Sequence, residues 1–149
     1  MGAVERVLFV CVHNSARSQM AEAWMNRLCG DRFQASSAGL EPGKLNPLVV
    51  AVMKEAGIDI SGKSTRGIND VIEAGETFDY VVTVCDEASA ERCPYFPGQG
   101  RRLLMGVADP AVVEGTEEEK LQIIRTIRDS IKKAVEEFCR DRKHKCVCT

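Results

Sequence analysis

The sequence predicts a single α/β domain with a four-stranded parallel sheet and helices on both faces. Short apolar runs typical of buried strands alternate with segments in which apolar residues follow helical spacing. Strands that alternate with helices form βαβ units, in which neighbouring strands are parallel. The 149 residues suffice for one domain and are too few for two ordinary ones. We expect this domain to cover residues 1–139.

Four segments have the composition of strands. Residues 4–10 form a nearly continuous apolar run, the pattern of a strand that is buried on both faces. The segment DYVVTV, at residues 79–84, is a second such run. The other two predicted strands cover residues 33–38 and residues 101–107.

Helical spacing and capping residues predict the first two of four helices. Met20, Trp24 and Leu28 recur every four residues and define the apolar face of an amphipathic helix. Asn46 can cap the next helix, because its side chain accepts hydrogen bonds from the first turn. Pro47 then occupies the first helical position, where its missing N–H costs nothing.

The last predicted helix has the clearest pattern. Thr116 and Glu119 form a capping box at its start. A separate short helix is expected earlier in the chain, at residues 67–74. The basic segment 140–149 is predicted to be a mobile tail outside the domain. The apolar face of the last helix follows helical spacing through Leu121, Ile124, Ile127, Ile131, Val135 and Phe138.

Composition excludes several classes of protein. With 20 basic and 22 acidic side chains the formal net charge is −2, which excludes a broadly basic nucleic-acid binder. The amino-terminal apolar run is far shorter than the ~18 residues of a membrane span, and no cleavage site follows it. We therefore expect a cytoplasmic protein with neither nucleic acid nor membrane as a partner. We also expect it to be a monomer.

The seven cysteines require an explanation. Cytoplasmic thiols are mostly reduced, and an odd count argues against a fixed disulfide framework. Buried structural thiols, metal ligands and redox or nucleophilic chemistry remain as interpretations. Cys29 is predicted to be a core thiol, and Cys139, Cys146 and Cys148 are interpreted as incidental cysteines, with metal binding or redox relay as the alternative.

The segment CVHNSARS joins the first predicted strand to the first predicted helix. Backbone N–H groups of a tight loop that enters a helix can bind a tetrahedral oxyanion. Arg17 can hold two of its oxygens, and the same field stabilises the Cys11 thiolate, which is the nucleophilic form. Ser18 can donate a hydrogen bond to that thiolate. The other expected anion-binding residues are Val12, His13, Asn14, Ser15 and Ala16.

Three residues that can take part in nucleophilic or acid–base chemistry lie at the ends of predicted strands or just after them. Cys11 ends the first strand, Cys85 ends the third and Asp109 follows the fourth. Because the carboxyl ends of parallel strands meet at one edge of a sheet, where ligands bind, we expect these residues to lie close together. A disulfide between Cys85 and Cys93 requires the chain between them to bend, which suits a switch better than a permanent link.

The chain contains the Cys11 loop followed by QMAE, and farther on Cys85 and two residues that precede a proline, Cys93 and Asp109. In these features it resembles the thioredoxin-coupled arsenate reductases. Those enzymes share the fold of the low-molecular-weight protein tyrosine phosphatases, and the resemblance covers residues 6–138. It implies that arsenate is the substrate and that phosphate or sulfate competes with it. It also implies that thioredoxin donates the electrons and that no cofactor is bound.

The resemblance implies a role for each site residue. Cys11 attacks arsenic while Asp109 protonates the departing oxygen. Cys85 then attacks Cys11, which releases arsenite and leaves a disulfide. Cys93 attacks Cys85 in turn, and the resulting disulfide is presented to thioredoxin.

Other interpretations stay open. The main alternative is a low-molecular-weight protein tyrosine phosphatase that forms a phosphocysteine, although Ala111 lacks the aromatic ring typical of that branch. A sensor of oxyanions or arsenite is a third hypothesis, and glutaredoxin with a small thiol is an alternative electron donor. Some relatives bind potassium through residues that correspond to Asn14, Glu22 and Ser37. Arg66 stands where a further acidic ligand is expected, so we assign no metal site.

Overall fold

The computed structural model describes residues 4–11, 17–39, 43–63, 65–85, 101–106 and 114–148, with Cys85, residues 101–106 and residues 141–148 described as backbone. Eight helices and strands follow one another in these parts of the chain. In order they are β1 (Glu5–Cys11), α1 (Arg17–Cys29), β2 (Phe33–Gly39), α2 (Pro47–Glu55), α3 (Ile68–Glu73), β3 (Tyr80–Cys85), β4 (Arg101–Gly106) and α4 (Glu117–Cys148).

The strands form one parallel sheet in the order β2-β1-β3-β4. The apolar runs that predict strands at residues 4–10 and 79–84 correspond to β1 and β3, the two central strands. Central strands are buried on both faces, which explains their continuous apolar composition. The observed architecture is therefore a single α/β domain, as the alternation of strands and helices predicts.

Helices cover both faces of the sheet. Val7 and Phe9 of β1 pack in a large core with side chains of α1, α2 and α4. Leu8 of β1 faces the other way and packs in a smaller core with Ile68 and Val71 of α3. Side chains alternate between the faces of a strand, so β1 contributes to both cores.

The caps predicted for two helices are confirmed. The N–H of Leu48 donates to Asn46 Oδ1 over 3.0 Å at the start of α2. At the start of α4 the N–H of Glu119 donates to Thr116 Oγ1 over 3.2 Å, and the N–H of Thr116 donates to Glu119 Oε1 over 3.4 Å. After α2, Gly57 has a φ of 87°, which a residue with a side chain rarely adopts.

The last helix is longer than the sequence predicts. The boundary expected at residue 139 does not coincide with the end of α4, which continues to Cys148. No Gly or Pro occurs between residues 117 and 148 to end the helix. The basic residues of segment 140–149 also lie near a helix carboxyl terminus, where positive charge is favourable. No helix within the described residues is long and apolar enough to cross a membrane.

A disulfide joins α1 to α4, which corrects the predictions that Cys29 is a core thiol and that Cys139 is an incidental cysteine. Cys29 and Cys139 are 110 residues apart in the chain, and their Cα atoms are 6.6 Å apart. Helix packing brings these residues together, and nothing in their spacing reveals it. An odd number of cysteines argues against a fixed framework of disulfides but is compatible with a single bond.

Candidate functional site

Cys11 is the last residue of β1 and is buried, with 3% of its surface exposed. Its Sγ lies 2.9 Å from Ser18 Oγ, within the distance of a hydrogen bond. Gly39 pairs with Cys11 from the edge strand β2, so this thiol lies at the carboxyl edge of the sheet. That edge is where open α/β sheets bind their ligands.

Arg17 and Ser18 are the first two residues of α1 and are both buried. A helix begins with N–H groups that have no partner within the helix, and its dipole makes this end positive. Arg17 adds a full positive charge, and Ser18 contacts the Cys11 sulfur. An anion close to Cys11 is therefore favoured electrostatically.

A buried carboxylate supports α1 one turn after Ser18. Glu22 is 6% exposed, and its Oε1 accepts a hydrogen bond from Ser37 Oγ over 2.8 Å. Its Oε2 accepts a hydrogen bond from the Lys63 ammonium group. Because Ser37 lies on β2, two residues before Gly39, this network connects α1 to the strand that pairs with Cys11.

Sequence reasoning missed Lys63. Glu22 and Ser37 were singled out only through a resemblance to proteins that bind potassium. In this structure an ammonium group of the chain itself contacts the Glu22 carboxylate. Among the described residues, no group of three or more His, Cys, Asp or Glu side chains could hold a metal ion.

The backbone of Cys85 ends β3, the strand next to β1. Val10 pairs with Thr83, so Cys85 lies one residue farther along its strand than Cys11 does. Strand spacing and rise put the two Cα atoms about 6 Å apart.

The other predicted site residues lie outside the described residues; they are Val12, His13, Asn14, Ser15, Ala16, Cys93 and Asp109.

The fold and this strand–helix junction define the class of protein. The chain belongs to the low-molecular-weight phosphotyrosine protein phosphatase family, whose model matches residues 6–146. It is 43% identical over 132 residues to an arsenate reductase of Halalkalibacterium halodurans, covering 89% of this chain and 93% of that protein.

Solved structures of arsenate reductases have a similar fold. The fold is similar to that of an arsenate reductase in the phosphate-binding state, with a TM-score of 0.73 and 29% identity. That likeness covers 93% of this chain and 98% of the other. A thioredoxin-dependent arsenate reductase of Corynebacterium glutamicum matches with a TM-score of 0.59 and 31% identity, covering 91% of this chain and 63% of the other.

Proposed function

We propose that this chain is a cytoplasmic, monomeric arsenate reductase. The observation that carries the proposal is the buried Cys11 thiol at the carboxyl end of β1, in hydrogen-bond contact with Ser18 at the start of α1. A relative at 43% identity is an arsenate reductase, and its match covers nearly its whole length. A related structure is of a phosphate-binding state, which supports a tetrahedral oxyanion as the ligand.

In the first step the Cys11 thiolate attacks arsenic and forms an S–As bond. The bond from arsenic to one oxygen breaks, and Asp109 supplies the proton with which that oxygen leaves. Arg17 binds the anion together with the N–H groups of the loop between β1 and α1, which comprises Val12, His13, Asn14, Ser15 and Ala16. These donors stabilise the negative charge that develops on the oxyanion.

In the second step the Cys85 thiolate attacks the Cys11 sulfur. A Cys11–Cys85 disulfide forms and the S–As bond breaks, so its electron pair stays on arsenic and arsenite leaves. The two thiols have supplied two electrons, which reduces As(V) to As(III). The Cα separation of about 6 Å expected from the strand register supports this step, since bridged cysteines have Cα atoms 4.4–6.8 Å apart.

In the last steps Cys93 attacks Cys85, which frees the Cys11 thiolate for another cycle. The Cys85–Cys93 disulfide then accepts two electrons from the dithiol of thioredoxin. The match to a thioredoxin-dependent arsenate reductase supports this choice of electron donor over glutaredoxin with a small thiol. No bound cofactor is needed, because every electron passes through sulfur.

The test is NADPH oxidation coupled through thioredoxin reductase and thioredoxin, started with arsenate. The wild-type chain should turn over, and Cys11→Ser should be inactive because it lacks the nucleophile. Cys93→Ser should complete one cycle and then stop, with a steady rate at least ~100-fold lower, because Cys11 stays in its disulfide. Cys146→Ser is the matched control for replacing a thiol and should keep the wild-type rate.

Hydrolysis of an aryl phosphate is measured on the same proteins. If arsenate supports no turnover while Cys93→Ser hydrolyses the aryl phosphate as fast as wild type does, the reductase proposal is wrong. The chain would then be a phosphatase that works through a phosphocysteine, because hydrolysis needs Cys11 but neither Cys85 nor Cys93.

A further inference from the structure

The disulfide between Cys29 and Cys139 has no part in the proposed reaction. Cys29 is the last residue of α1, and Cys139 lies within α4. Both are buried, with 5% and 4% of their surfaces exposed. Their Cα separation of 6.6 Å falls in the ordinary range for bridged cysteines.

This disulfide lies at the edge of the sheet opposite the candidate site. The 13 residues of α1 span about 18 Å, and Cys29 ends that helix, away from the start that contacts Cys11. The chain then turns into β2, whose first residue Phe33 pairs with Glu5, the first residue of β1. Cys11 is the last residue of β1, so its thiol is too far away to exchange with this disulfide.

Other contacts hold the two cysteines close together whether or not they are bonded. Arg32 donates a hydrogen bond to the Cys139 carbonyl oxygen over 2.9 Å. Phe138, next to Cys139, packs edge-on against Phe33 and Tyr80, with ring centroids 5.4 and 5.3 Å away. Because these contacts do not need the S–S bond, the reduced chain can keep the same packing with two adjacent thiols.

We propose that Cys29 and Cys139 form a second redox couple, separate from the catalytic cysteines, which clamps α1 to α4 when it is oxidised by a small-molecule disulfide. The closed bond joins residues that are 110 positions apart and restricts the unfolded chain strongly. The clamp therefore raises stability and transfers no electron to the substrate. This inference does not depend on the proposed arsenate chemistry.

Closing the clamp takes two exchange steps. One thiolate attacks a sulfur of the small disulfide, which releases one small thiol and leaves a mixed disulfide. The other protein thiol then attacks the sulfur of its bonded neighbour and releases the second small thiol. Two protein thiols are oxidised and one small disulfide is reduced to two thiols. Because Cys29 and Cys139 are buried, exchange waits for local opening between α1 and α4.

The test incubates the full chain with hydroxyethyl disulfide or with dithiothreitol and then alkylates the remaining thiols. Peptide mapping should find Cys29 linked to Cys139 only after oxidation. The urea midpoint of the oxidised chain should lie roughly 1–2 M above that of the reduced chain. Cys139→Ser and Cys29→Ala should lose this shift, and Cys146→Ser, which changes a cysteine on the same helix, should keep it.

Subtracting the midpoint shift of Cys139→Ser from that of wild type removes any contribution from other disulfides, because both chains keep the remaining cysteines. Wild-type chain in the two states needs no substitution, so the test survives a variant that fails to fold. Absence of the Cys29–Cys139 peptide after oxidation would overturn the proposal. The proposal would also be overturned if the linked peptide forms but the urea midpoint is the same in both redox states. An undiminished midpoint shift in Cys139→Ser would overturn it as well.

Discussion

At the carboxyl end of β1, a hydrogen bond connects Cys11 to the helix that follows it. Ser18 Oγ lies 2.9 Å from the Cys11 sulfur, and Ser18 is fully buried. A hydrogen bond to a charged group contributes ~1.5–3 kcal/mol, so a contact with the attacking sulfur can affect how fast that sulfur reacts. At the scale of single residues, we expect this contact to influence the reactivity of the thiol.

Replacing Ser18 by Ala should therefore slow alkylation of Cys11 by iodoacetamide by roughly tenfold or more, because the reacting sulfur loses the hydroxyl that contacts it. Mass spectrometry of the Cys11 peptide measures this rate separately from those of the other cysteines. Ser130→Ala, which changes an exposed serine on α4, is the control and should have no effect. An unchanged rate in Ser18→Ala would show that this hydroxyl does not affect the reactivity of Cys11.

Among the helices and strands, α2 and α4 are joined by an exposed ion pair as well as by the core. Arg125 Nε and Nη2 donate to the two oxygens of Glu55 over 2.9 and 2.8 Å, and Arg128 lies 3.4 Å from the same carboxylate. Hydrogen bonding from Arg125 is the main reason that the pKa of Glu55 lies below its ordinary value of 4.5. The charges of Arg125 and Arg128 lower that pKa further.

This pKa shift predicts how stability depends on pH. A carboxyl group whose pKa is lower in the folded state stabilises the fold above pH 4.5, and the contribution disappears as the pH falls through the lowered pKa. Glu55→Gln should therefore unfold at lower urea than wild type near neutral pH, and the two midpoints should converge well below pH 4.5. Glu73→Gln, an exposed glutamate of α3, is the control. A difference that persists at low pH would contradict the assignment to this ion pair.

The apolar face of α4 provides a matched pair of isoleucines. Ile131 is fully buried in the large core, whereas 44% of the surface of Ile123 is exposed. Ile131→Ala should lower the free energy of unfolding by ~2–5 kcal/mol, because it removes buried methyl groups and leaves a cavity. Ile123→Ala should change it by less than ~1 kcal/mol. Urea denaturation measures both, and equal losses would mean that α4 does not pack as described.

At the scale of the whole molecule, the sheet separates two cores of unequal size. The larger one contains side chains of α1, α2 and α4, and the smaller one contains Ile68 and Val71 of α3. The six-residue helix α3 also leaves Ile72 39% exposed. A helix with few buried apolar contacts opens at low free energy.

Amide hydrogens of α3 should accordingly exchange at least ~10-fold faster than those of β1, which is central in the sheet and buried on both faces. Hydrogen–deuterium exchange followed by mass spectrometry compares peptides from the two elements in one sample. Peptides from α1 serve as the helical control and should be protected almost as well as β1. Equal protection of α3 and β1 would mean that the two cores open together.

Much of the fold and part of the site could be predicted from the sequence. The strands at residues 4–10 and 79–84 and the caps at Asn46 and Thr116 all depend on neighbouring residues, so periodicity and composition reveal them. Short-range patterns also predict that Cys11 ends a strand and that a helix follows it. In the structure β1 ends at Cys11 and α1 begins at Arg17. The roles of Cys93 and Asp109 stay predictions, because these residues lie outside the described part of the chain.

Tertiary structure alone decided the long-range partners. Apart from the end of α4, the sequence by itself determined which segments form strands and helices, because hydrogen bonding and apolar spacing within an element are local. It did not reveal that Cys29 bonds to Cys139 or that Lys63 neutralises the buried Glu22. Those partners are separated by 110 and 41 residues and meet only when helices pack on the sheet, so no short-range pattern encodes them.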